Sequence, residues 1–251
     1  MKIQHCIIAC IILTAAVRVS GQDTTAAVTQ SRYGHLDFAV GYAHTDLRSL
    51  NRALSTFGYK SIDENFATVS VSWAYTINRF LLRSEATYTP ANEVMQADHV
   101  ATRFGGYSMG AGLGYVVLQT PTWRVYPFVG INAFTHQLKF EDKTPIEDMN
   151  GVVNAPHQSS SLRFSNASLD FGVQVERLTT LKNRKWDCPQ NEKFMTIGLR
   201  AGYQYGPGKV YGRYNGGNNT IADAPCFSPK GPYIKLVIGF GGKARNLKWK
   251  N

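Results

Sequence analysis

The chain has 251 residues, a formal net charge of +10 at pH 7, 18% charged and 12% aromatic residues, 23 Gly and 13 Tyr. That length suits one domain, since barrels of about 200–250 residues are routinely single units. So few charges with so many Tyr and Gly argue against a cytosolic α/β enzyme and for antiparallel β structure, where aromatics favour strands and Gly fits turns and tight interiors.

The first segment reads as a secretory signal peptide over residues 1–21. Lys2 supplies a positive start, Ile7 to Val17 is mostly apolar, and Ala15, Ala16, Ser20 and Gly21 place small residues at a cleavage point. The apolar stretch is too short for a spanning helix. Ile7-Ile8-Ala9-Cys10 has the look of a lipoprotein box, but the apolar run continues past Cys10. Cleavage removes Lys2 and Arg18, taking the formal charge from +10 to +8. Export excludes nucleic acid and leaves anionic lipid headgroups or cell-wall polymer as partners for that charge. It also removes Cys6 and Cys10, leaving Cys188 and Cys226, whose default state in an oxidising compartment is a disulfide.

After a lead-in over residues 22–34, period-two alternation recurs eight times between residues 35 and 242. Leu36, Phe38, Val40 and Tyr42 alternate with Asp37, Ala39, Gly41 and Ala43. Leu47, Leu50, Leu54 and Phe57 then fall at helical spacing, with Thr45 or Asp46 to cap the start and Gly58 to end it, which predicts a short helix packed over a rim. Ala67, Val69, Val71, Trp73 and Tyr75 oppose Thr68, Ser70, Ser72 and Ala74. Phe80, Leu82, Ala86 and Tyr88 oppose Leu81, Arg83, Glu85 and Thr87. Tyr107 to Val117 alternates with Ser108, Gly110, Gly112 and Gly114. A less regular fifth run, Val125 to His136, sets Val129, Ile131 and Ala133 against Phe128, Gly130, Asn132 and Phe134. Ala167 to Val175 opposes Asn166, Ser168, Asp170, Gly172, Gln174 and Glu176. Met195 to Tyr205 opposes Thr196, Gly198, Arg200, Gly202 and Gln204, and Ile234 to Phe240 opposes Tyr233, Lys235, Val237 and Gly239. A basic tail over residues 243–251 follows.

A soluble sandwich also alternates, but here the second face mixes small residues with Asp37, Arg83, Glu85, Asp170, Glu176, Arg200 and Lys235. A transmembrane β-barrel accounts for both faces: the apolar face meets lipid and small or polar groups fill the lumen. The lumen charges, four acidic and three basic, then have to pair, because an unpaired buried charge is costly. Tyr42, Trp73, Tyr75, Phe80, Tyr88, Tyr107, Trp123, Tyr126, Tyr203 and Tyr205 lie near strand ends and form the expected aromatic girdles. Short connections at Ile77–Arg79 and Gln119–Trp123 alternate with long ones at Asp46–Asn65, Pro90–Gly106, Gln137–Leu162 and Gly206–Pro232, as short periplasmic turns alternate with outer loops. Leu178–Lys193 is the one long connection on the inner side.

These features resemble the small outer-membrane β-barrels of Gram-negative bacteria, similar to the transmembrane part of the outer membrane protein A family. The resemblance covers residues 33–242 and includes the last strand, Pro232 to Gly242 (PYIKLVIGFGG). It implies an all-β, eight-stranded up-and-down barrel in the outer membrane, monomeric, without cofactor or catalytic site, with a structural or surface-interaction role toward outer-membrane lipid, lipopolysaccharide or cell wall. It also implies that a terminal aromatic, matched by Phe240, helps assembly. The rivals are a soluble periplasmic lipocalin-like binding barrel and a lipid-processing barrel. Lipid A deacylases carry His-x-Ser-Asn, and Arg163-Phe164-Ser165-Asn166 departs from that motif at the base: Arg stays protonated and cannot activate Ser165.

The remaining candidates read as surface features. His35, His44, His99 and His136 have no metal spacing. Glu141, Asp142, Glu147 and Asp148 read as a solvated acidic loop, with a divalent cation as the alternative. Basic residues Arg177, Lys182, Arg184, Lys185, Lys193, Lys243, Arg245, Lys248 and Lys250 gather at the inner rim, where inner-leaflet phosphate or cell wall could meet them. Cys188 and Cys226 flank the seventh strand, whose ends would stand roughly 25–30 Å apart, while a disulfide needs Cα atoms within about 7 Å. The barrel therefore predicts unbonded thiols.

Overall fold

The computed structural model describes residues 32–96, 100–142, 159–181, 191–214 and 226–244. The signal peptide, Cys188, His99, Glu147, Asp148 and much of the basic rim lie outside the described residues. Eight long strands carry the chain: β1 (Arg32–His44), β2 (Asn65–Ile77), β3 (Phe80–Met95), β4 (Val100–Tyr115), β5 (Trp123–Asp142), β6 (Ser159–Thr180), β7 (Asn191–Tyr205) and β8 (Lys230–Ala244). Each pairs antiparallel with the next. β8 then returns to β1, from Arg32 opposite Ala244 to Ala43 opposite Tyr233. The result is a closed barrel, in which every long strand has a paired neighbour on both sides. Two-residue strands decorate it: Leu118–Gln119 on β5, Arg213–Tyr214 on β6, and Val210–Tyr211 paired with Cys226–Phe227.

The register fixes the tilt. Followed through directly opposed residues, the wall runs from Val175 to Leu199, Leu236, Val40, Val69, Tyr88, Tyr107, Thr135 and back to β6 at Ser165, ten residues from its start. A stagger of that size around eight strands about 4.8 Å apart corresponds to a tilt of roughly 40°. At that tilt the 22 residues of β6 rise roughly 55 Å along the barrel axis, about twice the apolar band of an outer-membrane barrel. The wall therefore extends well past one end of the band.

Short turns close the opposite end. Asn78, at φ 57°, takes the left-handed conformation that Asn tolerates and joins β2 to β3. Between β4 and β5 the Thr120 hydroxyl accepts the Trp123 N–H at 2.9 Å.

The extension corrects the expected loops. β3 and β4 run on through residues 90–95 and 100–106, β5 reaches Asp142 and β6 begins at Ser159, all within segments that the alternation assigned to loops. The physical reason is a change of phase. Lower on the wall the inner side chain is polar and the outer apolar, as with buried Ser70 beside exposed Val69. Higher up the order inverts: Phe104, Leu138 and Phe164 are buried beside outward Arg103, Lys139 and Arg163. Alternation continues, but with the opposite sign.

The first outer loop forms helix α1 (Arg48–Thr56). Asp46 anchors its start, with its carboxylate accepting from the Arg48 side chain at 2.9 and 2.8 Å. That side-chain bond holds the Asp46 carboxyl below its ordinary range. Gly58, at φ 79°, follows the last turn, the left-handed position that suits glycine. Asn51 ties the helix to the returning chain, donating to the Ile62 carbonyl at 2.9 Å and accepting its N–H at 2.8 Å. Leu47, Leu50 and Leu54 are buried, but Phe57 is 76% exposed: the helix ends at Thr56, and Phe57 leaves the apolar face.

Candidate functional site: the charged lumen, its apolar plug and the outer wall

Strand parity sends Asp37, Arg83, Glu85, Asp170, Glu176, Arg200 and Lys235 into the lumen, where all seven side chains are nearly or fully shielded from solvent. Their geometry is a connected network. Arg200 reaches Glu85 at 2.8 Å, the Gln174 amide oxygen at 2.6 Å and the Ser72 hydroxyl at 3.3 Å, with Asp37 at 3.6 Å. Lys235 donates to Glu85 at 2.7 Å, Ser70 at 3.0 Å and Thr87 at 3.2 Å. Arg83 lies 3.3 Å from Asp170 and 3.5 Å from Glu85, its guanidinium over the Phe128 ring. Tyr233 donates to Asp170 at 2.7 Å.

One member was missed by the sequence reading. Arg124, the second residue of β5, is buried and forms an ion pair with Glu176, close to His35. It sits beside the turn, one residue before the fifth alternating run, Val125 to His136, begins. With Arg124 added, four cationic side chains face the four carboxylates. Gln174 also donates to Glu176 at 2.8 Å. Tyr126 corrects a further expectation: it points inward, fully buried, with its hydroxyl toward Glu176, and does not belong to a girdle. These groups leave little open bore. Between the network and the outer end lies a cavity of about 30 Å³ bordered by Thr68, Thr87, Ser168 and Lys235, room for a water or two.

Above that cavity the interior becomes apolar. Leu47, Leu50 and Leu54 of α1 meet Ile62, Phe66, Phe104, Phe134, Leu138, Phe164, Val210 and Phe227 in one cluster. Phe227 packs edge-on against Phe104 and Phe164, and His136 stacks flat on Phe104. Helix and aromatics together plug the outer mouth. Sequence reasoning missed most of this plug, because inward positions were expected to be small or polar.

The exterior is apolar over its lower part, where Leu36, Phe38, Val40, Val71, Leu113, Ile131, Leu199 and Leu236 are all exposed. Aromatic residues bracket this band. Trp73 and Tyr75 stack near the short turns, where Phe80 meets Tyr115 edge-on and Trp123 begins β5. Toward the other end stand Tyr42, Tyr88, Tyr107, Tyr203 and Tyr205. On β3 and β4, Phe80 opposes Tyr115 and, eight residues up, Tyr88 opposes Tyr107, so the belts stand roughly 26 Å apart along the strand.

No assembled catalytic group appears among the described residues. Ser165 lies on the outward face with the Thr135 hydroxyl at 3.0 Å. His136, one register position away, points into the plug, and Arg163 faces outward. Glu141 pairs with Arg103 at 3.2 Å, and no cluster of three metal-ligating side chains occurs among the described residues. Cys226 forms no disulfide among the described residues. Arg177 and Lys193 are exposed at the inner end, and Lys243 lies over the Tyr33 ring.

No family model matches the chain, and no curated protein matches it in sequence. Its fold is similar to that of solved outer-membrane barrels. Ail, the attachment invasion locus protein of Yersinia pestis, aligns over 85% of this chain and 98% of its own at 15% identity, with a TM-score of 0.38. Neisserial surface protein A aligns over 86% and 97% at 15% identity and a TM-score of 0.37. A major outer membrane protein of Thermus thermophilus aligns over 84% and 98% at 9% identity and a TM-score of 0.39.

Proposed function

We propose that this protein is an integral outer-membrane β-barrel with a closed, side-chain-filled lumen, serving a structural or surface-interaction role rather than conduction or catalysis. The observation that carries this reading is the placement of polarity. A closed wall presents apolar side chains outward between two aromatic belts, while eight ionisable groups, four acidic and four basic, are held inside. In water that arrangement would expose a continuous apolar cylinder, far beyond the few hundred Å² a soluble monomer tolerates. In a bilayer it is the low-energy one, since a closed barrel satisfies every backbone pair internally. A lipocalin-like soluble barrel requires the reverse, an apolar cavity within a polar exterior.

The matched ions and the plug support a sealed interior over a pore. The wall rising past the upper belt supports a role at the cell surface.

Fractionation tests the reading. The full chain is expected in carbonate-washed outer membranes, with heat-dependent gel mobility and no steady conductance in planar bilayers. Release by osmotic shock as a soluble monomer would overturn it.

A further inference from the structure

Above the upper aromatic belt, the outer wall of β3–β6 carries a cleft of about 270 Å³. Tyr88 and Tyr107 border it, together with Arg103, Lys139, Arg163 and one carboxylate, Glu141. The register makes this patch electrostatically unfavourable on its own: Arg103 stands directly opposite Lys139, and Arg163 directly opposite Arg213. Like charges in opposed positions destabilise a ladder. Glu93 and Glu141 answer Arg103, at 2.6 and 3.2 Å. Among the described residues, no carboxylate comes within 4 Å of Lys139, Arg163 or Arg213. The described residues of the cleft therefore carry surplus positive charge, immediately above the row where Tyr88, Tyr107, Thr135 and Ser165 lie side by side.

Below it, the same four strands offer a path into the apolar band. Two residues beneath the tyrosines the wall presents Ala86, Met109, Ala133 and Ala167 in one row, three of them bearing only a methyl group. Beneath that row lies an apolar groove of about 440 Å³ bordered by Leu82, Leu113, Val129, Ile131 and Leu169. Cationic cleft, aromatic ledge, narrow waist and apolar groove succeed one another in the order of a lipid: anionic head, glycerol or sugar level, acyl chain.

We infer that the outer wall of β3–β6 is a binding site for a phosphorylated glycolipid of the outer leaflet. The phosphate meets Lys139, Arg163 and Arg213, and an acyl chain passes the alanine row into the groove. The inference rests on the membrane reading above and names the ligand class of that surface.

The full chain, folded in a zwitterionic detergent, is titrated by native mass spectrometry with bis-phosphorylated lipid A, its dephosphorylated form, phosphatidylcholine and inorganic phosphate. Bis-phosphorylated lipid A is expected to bind selectively. Each basic residue near an anionic surface contributes about fivefold. The triple change Lys139→Gln, Arg163→Gln and Arg213→Gln is therefore expected to weaken binding on the order of 100-fold while heat-dependent gel mobility stays unchanged. Should the triple variant misfold, Arg213→Gln alone, outside the eight-stranded wall, is expected to lose about fivefold. Ala133→Trp fills the waist and is expected to lower lipid A retention without altering inorganic phosphate binding.

Equal affinity for the dephosphorylated lipid, or an unchanged triple variant, overturns the inference while the membrane reading stands. Inorganic phosphate binding as tightly as lipid A, with Ala133→Trp silent, replaces the lipid with a free anion and also overturns it. A chain that is soluble without detergent and enters no bilayer overturns both.

Discussion

Arg200→Met tests whether the lumen network holds the barrel together. Arg200 is fully buried and makes three side-chain hydrogen bonds, to Glu85, Gln174 and Ser72, with Asp37 at 3.6 Å. Methionine approximates its aliphatic stem, so the substitution removes charge and donors with little change in packing. Removing one partner of a buried pair costs about 3–5 kcal/mol, mainly because the other charge stays buried and unmet. Glu85 keeps Lys235 and Asp37 keeps His35, at 2.7 and 3.4 Å, which puts the expected loss at the lower end, about 3 kcal/mol. Urea unfolding in lipid vesicles, followed by tryptophan fluorescence, reads it directly. The paired variant Arg200→Met with Asp37→Asn removes both signs while Glu85 keeps Lys235 and Arg83, and is expected to recover about half the loss, since the coupling between contacting residues is large. A loss under about 1 kcal/mol for Arg200→Met, or no recovery in the paired variant, would refute the view that these ions act as one dry network.

Two further predictions address the wall and the plug. Val71 stands outward near the middle of the apolar band, 41% exposed, so Val71→Arg is expected to lower stability in vesicles by about 2–4 kcal/mol. In a water-facing wall the same change would stay within about 0.5 kcal/mol, and that result would count against the lipid-facing orientation. Leu54→Ala opens a cavity in the fully packed plug and is expected to cost about 2–5 kcal/mol if plug and barrel unfold together. Raised protease cleavage near α1 with unchanged barrel stability would show instead that the plug opens as a separate unit.

The strand count, the antiparallel closure and the side of the wall each residue faces were legible, because a period of two leaves no freedom once one face is assigned. Val69 and Ser70 fix β2, and register carries that choice to every neighbour. What was not legible follows from one assumption, that apolar means outward throughout. It holds between the aromatic belts and fails above them. There Phe104, Leu138 and Phe164 turn inward beside Arg103, Lys139 and Arg163, so strands seemed to stop where only their phase changed. Arg124 escaped for a related reason: the run around it includes inward Tyr126 and Phe128, which blur the alternation just where β5 begins. Pairing partners such as Arg200 with Glu85 and Ser72 join residues far apart in sequence and depend on the ten-residue stagger, which no local pattern encodes. The basic cleft was hidden likewise, since Arg163 and Arg213 become neighbours through a two-residue strand within the last outer loop.

The aromatic stopper over the lumen has a consequence for how the surroundings act on the molecule. Salt weakens charges that its ions can approach, over about 8 Å at physiological strength, and leaves enclosed ones largely untouched. With Phe104, Phe164 and Phe227 closing the mouth, brine or fresh water around that end should leave the internal ion pairs equally strong. Surface contacts such as Arg103 with Glu93 would loosen in the one and tighten in the other. The same chain thus presents a salt-responsive crown to its environment over a stem whose cohesion is indifferent to it.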